Sequence, residues 1–436
     1  KEQIILLYGP EKIITLLTSK SHNVLDLDLE LSIILCSDEI VRSRTYQIFV
    51  DEFSSILNNV TQSTELLYKL YRLMYLYFRD KAMFEYISIS EDFIPNFIKK
   101  CINYENSKSE NEKENFYLVH AMKLLYILCR TDCTSNLLFP FIGDIIKHLS
   151  LVFMPLVPVF ASLSVAALLA KIENPNEVIK DHLKELENFA KFAFSVPNET
   201  TMSALSFFGV LSNLKETQYI CASLSIHQNI IKFLKSDNFA LVQMTIRVLI
   251  SLSSSSFGGE LKGLEKAIKP LFSLCDSNNN KVGFFGVEPL VCISNILISP
   301  DSWKSAIPFI EKLFNLFEIP EFTEIALLIT YRIVSAAEFS LSSDSNSNII
   351  DDKASLFNNK KILHSFIEKS RKKLTSLNND LLISILLCFA EVESSCTFLK
   401  EEQIVDVIDE IIFQCSIDDP RRPKLLRIHS YLSIHD

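Results

Sequence analysis

The chain has 436 residues, 48% of them hydrophobic, with 8 Gly, 14 Pro and a net charge of −10. That length exceeds what one compact core fills efficiently, and so few Gly argue against an all-β or Rossmann-type fold, whose turns need them. A pI of about 5.4 argues against a nucleic-acid binder, which carries a basic face.

The predicted elements begin at Gly9-Pro10, where Pro suits a first helical position. Residues 25–31 (LDLDLEL) alternate as a strand does, but no second alternating run exists to pair with them. They are read as a helix running into residues 32–36. Helix pairs follow at 48–57 with 65–78, and at 93–102 with 116–129. The charged stretch 105–115 between the latter has no apolar anchor and is read as a mobile loop insert.

Residues 149–170 form an uncharged run of 22, the length of a membrane span. Pro155 and Pro158 break it, favouring a proline corner between two buried helices. A membrane-associated protein using this run stays open as an alternative. Further pairs follow at 182–194 with 201–214, 228–234 with 241–252, 264–275 with 287–298, and 306–317 with 321–334. Polar turn-forming links such as Lys235-Ser236-Asp237-Asn238 join the first three. A second insert, 340–359, is rich in Ser, Asn and Asp. Two last pairs are placed at 362–374 with 381–389 and at 402–415 with 425–434.

One apolar stripe recurs through these elements. Its landmarks are Leu35, Leu76, Leu128, Ile172, Leu214, Leu252, Ile296, Val334, Phe389 and Ile434, a mean spacing of about 44 residues. Periods of about 40–47 belong to two- and three-helix solenoid units. The expected fold is all-α, an α-solenoid of about ten stacked helical-hairpin repeats. One continuous array over 1–436 is expected, with loop inserts at 105–115 and 340–359.

Three stretches carry a family resemblance. Residues 228–236 (QNIIKFLKS) followed by 242–253 (VQMTIRVLISLS) resemble the second and third helices of an armadillo unit. Phe207-Phe208-Gly209-Val210-Leu211-Ser212-Asn213-Leu214 and Val291-Cys292-Ile293-Ser294-Asn295-Ile296-Leu297 are similar to its third-helix pattern. The chain thus resembles the armadillo-like family of armadillo and HEAT repeats. Gly209 and Val291 stand where importin-type members carry Trp. The resemblance implies a non-enzymatic scaffold binding a protein or peptide, with Asn213 and Asn295 reading a ligand backbone and Ser251 in the equivalent middle slot.

Other candidates are weaker. Cys129 and Cys133, with His120 upstream, fall short of the four ligands a structural zinc site needs. The Gly clusters at 258–259 and 283–286 lack the context of a phosphate loop. His429 and His435 are six apart, a poor spacing for one helical face. Lys369, Arg371, Lys372 and Lys373 form a basic cluster on a predicted helix, and Arg421, Arg422 and Lys424 another; each is a solvated face or a docking patch for an acidic segment. No catalytic motif, cofactor or metal is expected. Ten dispersed Cys and no signal-peptide pattern point to a cytoplasmic or nuclear setting. A regulatory segment of a larger polypeptide, attached for example to a kinase or ligase domain, is the other alternative.

Overall fold

The computed structural model describes the chain except residues 1–8, 61–62, 80–92, 104–111, 152–153, 155, 196, 256–257, 276–284, 300–301, 344–355, 375–379 and 435–436. The described residues contain helices and turns and no strand. They form two compact units, 1–220 and 221–436.

Each unit holds a ladder of five helices, one from each repeat. In the first unit these are α1 (His22–Leu35), α2 (Thr64–Phe78), α3 (Glu112–Arg130), α4 (Leu156–Leu169) and α5 (Glu199–Asn213). Each packs on the next. In the second they are α6 (Phe239–Ser254), α7 (Glu288–Ile296), α8 (Pro320–Ser343), α9 (Asp380–Ala390) and α10 (Arg422–Ile434), again packed in succession. Other helices pack behind each ladder; Ile310–Leu316, for example, lies against Lys360–Leu374, which lies against Glu393–Glu401. The ten ladder helices carry or closely precede the ten landmarks of the apolar stripe.

Residues 25–31 are helical, as the missing strand partner implied. In α1, Leu25, Leu29 and Ile33 are buried at four-residue spacing, while Leu27 is 67% exposed. The 149–170 run is two segments. A helical turn ends at Ser150 and α4 starts at Leu156, with Pro158 in its first turn, where no intrahelical donor is required. Among the described residues no single helix is long and apolar enough to cross a membrane.

Parts of both expected loop inserts are helical. Residues 112–115 belong to α3, because Glu and Lys are strong helix formers and Glu suits the positive end of a helix. Residues 340–343 complete α8, and a further turn at 356–358 is fastened by Leu356 and Phe357, both fully buried. Residues 104–111 and 344–355 lie outside the described residues.

A repeated hydroxyl device ends four of the ladder helices. Thr134, Thr217, Ser302 and Ser395 are buried, and each donates to the carbonyl six residues earlier: Leu128 (2.6 Å), Leu211 (2.8 Å), Ile296 (2.8 Å) and Phe389 (2.6 Å). The last carbonyls of a helix have no intrahelical partner, and burial makes an unpaired one costly. The hydroxyl satisfies it at the bend into the next repeat. After α1 a guanidinium does this work: Arg42, 2% exposed, donates to Cys36 O (2.9 Å) and Ser37 O (3.1 Å). At the other ends, Asn198 and Thr201 form a reciprocal capping box on α5, and the Asn238 side chain caps α6.

Candidate partner-binding surface

A ladder helix buries one side against its neighbours and the helices behind. The opposite side stays partly open, and within each unit successive helices set these open sides beside one another. The three residues singled out from the family pattern fall differently on this ground. Asn213 is exposed at the last position of α5, and Asn295 is half-buried on α7. Ser251 on α6 is buried, at 9% exposure.

The basic cluster on Lys360–Leu374 is engaged within the chain. Lys369 pairs with Glu318 (3.0 Å), and Arg371 donates to the Glu402 carbonyl (2.9 Å). Lys373 donates to the Phe317 carbonyl and to Thr323 Oγ1 (2.9 Å). The Lys372 side chain lies outside the described residues. The second cluster is likewise occupied: Arg421 holds Asp419 (2.7 Å), Arg422 donates to Ile412 O and Cys415 O, and Lys424 pairs with Asp380 (2.7 Å). These cations tie one repeat to another or close a turn, a role that spacing alone does not reveal.

In the first unit the open side of the ladder carries aromatic rings and cations that the family pattern does not point to. Tyr75 on α2, Lys123 and Tyr126 on α3, and Phe160 on α4 are all half-buried. Lys123 Nζ lies 6.0 Å from the Tyr75 ring centre and 5.6 Å from that of Phe160. Arg130 sits 5.5 Å from the Tyr126 ring, and Tyr126 lies 6.3 Å from Phe160. These distances are in the cation–π and aromatic contact range. One patch therefore spans three successive helices.

The second unit's ladder ends differently. Glu391, just after α9, is pushed up to about 7 by burial and by the Glu338 carboxyl of α8, with Arg427 of α10 (2.6 Å) opposing. This part of the ladder carries carboxylates as well as cations.

Of the candidate metal residues, Cys129 and His120 are among the described side chains. Cys129 is fully buried, and burial pushes its thiol far up. The Cys133 side chain lies outside the described residues, and no group of metal-binding side chains occurs among those described. His120 is 9% exposed and is lowered to about 4 by burial, then by the charges of Lys123 and Arg72. The sign of the resulting pH effect is definite. His120 ordinarily titrates near 6.5, so the unfolded chain takes up its proton between pH 6.5 and about 4 while the folded chain does not. Stability should fall as pH drops through that window, and His120→Gln should flatten this part of a melting-temperature profile. A profile unchanged by the substitution would show that His120 does not carry the effect. His429 pairs with Asp409 (3.2 Å), and His435 lies outside the described residues. Phe285 is buried against Phe239 (6.1 Å), while residues 283–284 are not described.

No family model matches the sequence, and no curated protein matches it. Solved structures do. An engineered protein is similar with a TM-score of 0.64 at 14% identity, over 97% of this chain and 98% of that one. The structure from work on a phosphorylation switch controlling the interaction between cadherin and beta-catenin is similar with a TM-score of 0.59 at 11% identity, over 99% of this chain and 84% of that one. A designed armadillo repeat protein aligns over 57% of this chain with a TM-score of 0.41. The fold is an armadillo-like α-solenoid of stacked helical repeats.

Proposed function

We propose that this chain is a non-enzymatic scaffold that binds a protein or peptide partner along the open sides of its helix ladders. The observation that carries this reading is the row of open helix sides. Stacked repeats place successive side chains at regular steps along an extended surface, which repeat proteins use as a concave binding face. An extended segment lying on a ladder would present backbone amides to a side chain such as Asn213 in the first unit or Asn295 in the second. Ser251 is too enclosed for more than a minor part. The eight described cysteines are unpaired thiols, in keeping with a reducing, cytoplasmic setting.

The test is affinity capture with the purified chain, followed by substitution. A stoichiometric partner is expected whose capture drops when Asn213→Ala and Asn295→Ala are combined. Repeated capture of nothing would sink the reading. A partner lost on substitution of the helices behind the ladder, and indifferent to the open side, would sink it too.

A further inference from the structure

The patch on α2, α3 and α4 has a written signature. Arg72-Leu73-Met74-Tyr75-Leu76-Tyr77-Phe78-Arg79 on α2 matches Lys123-Leu124-Leu125-Tyr126-Ile127-Leu128-Cys129-Arg130 on α3. Cation, tyrosine and cation recur at the same places, a constant 51 residues apart. Within each helix they are spaced three and four residues, so they lie along one helical side. The intervening Leu73, Met74, Leu124 and Leu125 are buried, which turns the cations and tyrosines outward.

The patch is electrostatically one-sided. Among the described residues no carboxylate pairs with Lys123, Arg130 or Arg79; the recorded side-chain partners of Lys123 and Arg130 are aromatic rings. Arg79 and Arg130 are exposed at the same ends of neighbouring helices. The basic clusters in the second unit, by contrast, are spent on internal carboxylates and carbonyls. In a chain of net charge −10, cations held on rings away from acidic partners form a local positive field that an anionic ligand would complete. The rings supply flat apolar surface for the ligand's side chains at little entropic cost.

Resting on the scaffold reading, we infer that this cation–tyrosine–cation patch is the docking site for an extended acidic peptide segment, whose carboxylates meet Lys123, Arg130 and Arg79 and whose apolar side chains lie on Tyr75, Tyr126 and Phe160. A peptide fits better than a single-stranded nucleic acid. A nucleic acid tracks a continuous positive groove with one phosphate per nucleotide, whereas here the cations are few, sit at helical spacing and are interleaved with tyrosines.

The probe is a fluorescein-labelled dodecapeptide of Asp-Glu-Leu repeats, titrated with the whole chain and followed by anisotropy at low and at moderate salt. The expected result is saturable binding that weakens with salt and weakens at least tenfold in Lys123→Glu/Arg130→Glu. Lys123→Met/Arg130→Met, which keeps the hydrocarbon stems on the rings, should lose most of the binding with its thermal melt preserved. The same peptide with Lys in place of Asp and Glu should not bind. Equal binding by the methionine variant would overturn the inference, as would tighter binding of a twelve-residue oligothymidylate than of the acidic peptide. If the partner caught by affinity capture is retained by the methionine variant, the scaffold reading stands and this docking site falls. If neither partner nor peptide binds, both fall.

Discussion

Leu249→Ala should loosen the repeats around α6 without unfolding the whole chain at once. Leu249 is fully buried, and Leu241, Val242, Ile246 and Leu252 share its side of the helix. Removing a buried Leu side chain costs about 2–5 kcal/mol, through lost transfer energy and the cavity left behind. In a stack of repeats, stability is a sum of repeat and nearest-interface contributions, so a local loss is felt locally. Hydrogen exchange should speed up first over residues 228–252 and spread outward from there, with the first unit least affected. Acceleration by one common factor everywhere would mean a single cooperative globule in place of a repeat array.

Phe208→Ala makes the complementary test in the first unit. Phe208 is fully buried on α5, and its ring centre lies 5.1 Å from Phe207, 5.7 Å from Phe194 and 6.2 Å from Phe189. Losing a core Phe costs about 3–5 kcal/mol, and aromatic pairs add about 0.5–1.5 kcal/mol beyond area burial. The single tryptophan, Trp303, is 1% exposed in the second unit and reports on that unit alone. Helical circular dichroism of the variant should therefore begin to fall at a temperature where tryptophan emission is still that of the folded chain. Coincident loss of both signals, shifted together from the parent, would show that the two units melt as one.

The proposed docking patch and the hydroxyl caps share a lesson about periodicity. The 51-residue match between α2 and α3 is in the sequence, but its period differs from the mean of about 44, so it falls away when repeats are averaged. It is found by comparing two neighbouring helices position by position. The caps are similar. Thr134, Thr217, Ser302 and Ser395 are ordinary polar residues in the sequence, and only their burial, each beside a helix-end carbonyl, distinguishes them.

What the sequence by itself determined is the architecture. An apolar stripe at helical spacing, recurring ten times, has few ways to be buried other than by stacking, because no single repeat can cover its own apolar side. The reading of 25–31 as helix and the proline break near 155 follow from the same local rules. Tertiary structure alone decided which polar residues are spent and which are offered. Lys369, Arg371 and Lys373 read as a docking cluster in one dimension, yet they meet Glu318, the Glu402 carbonyl and Thr323 across the fold. Lys123 and Arg130 belong to no motif in the sequence, yet folding sets them on aromatic rings, and among the described residues neither pairs with a carboxylate. Charge pairing depends on distances of a few ångströms between residues that can be fifty positions apart, and those distances exist only once the helices are packed.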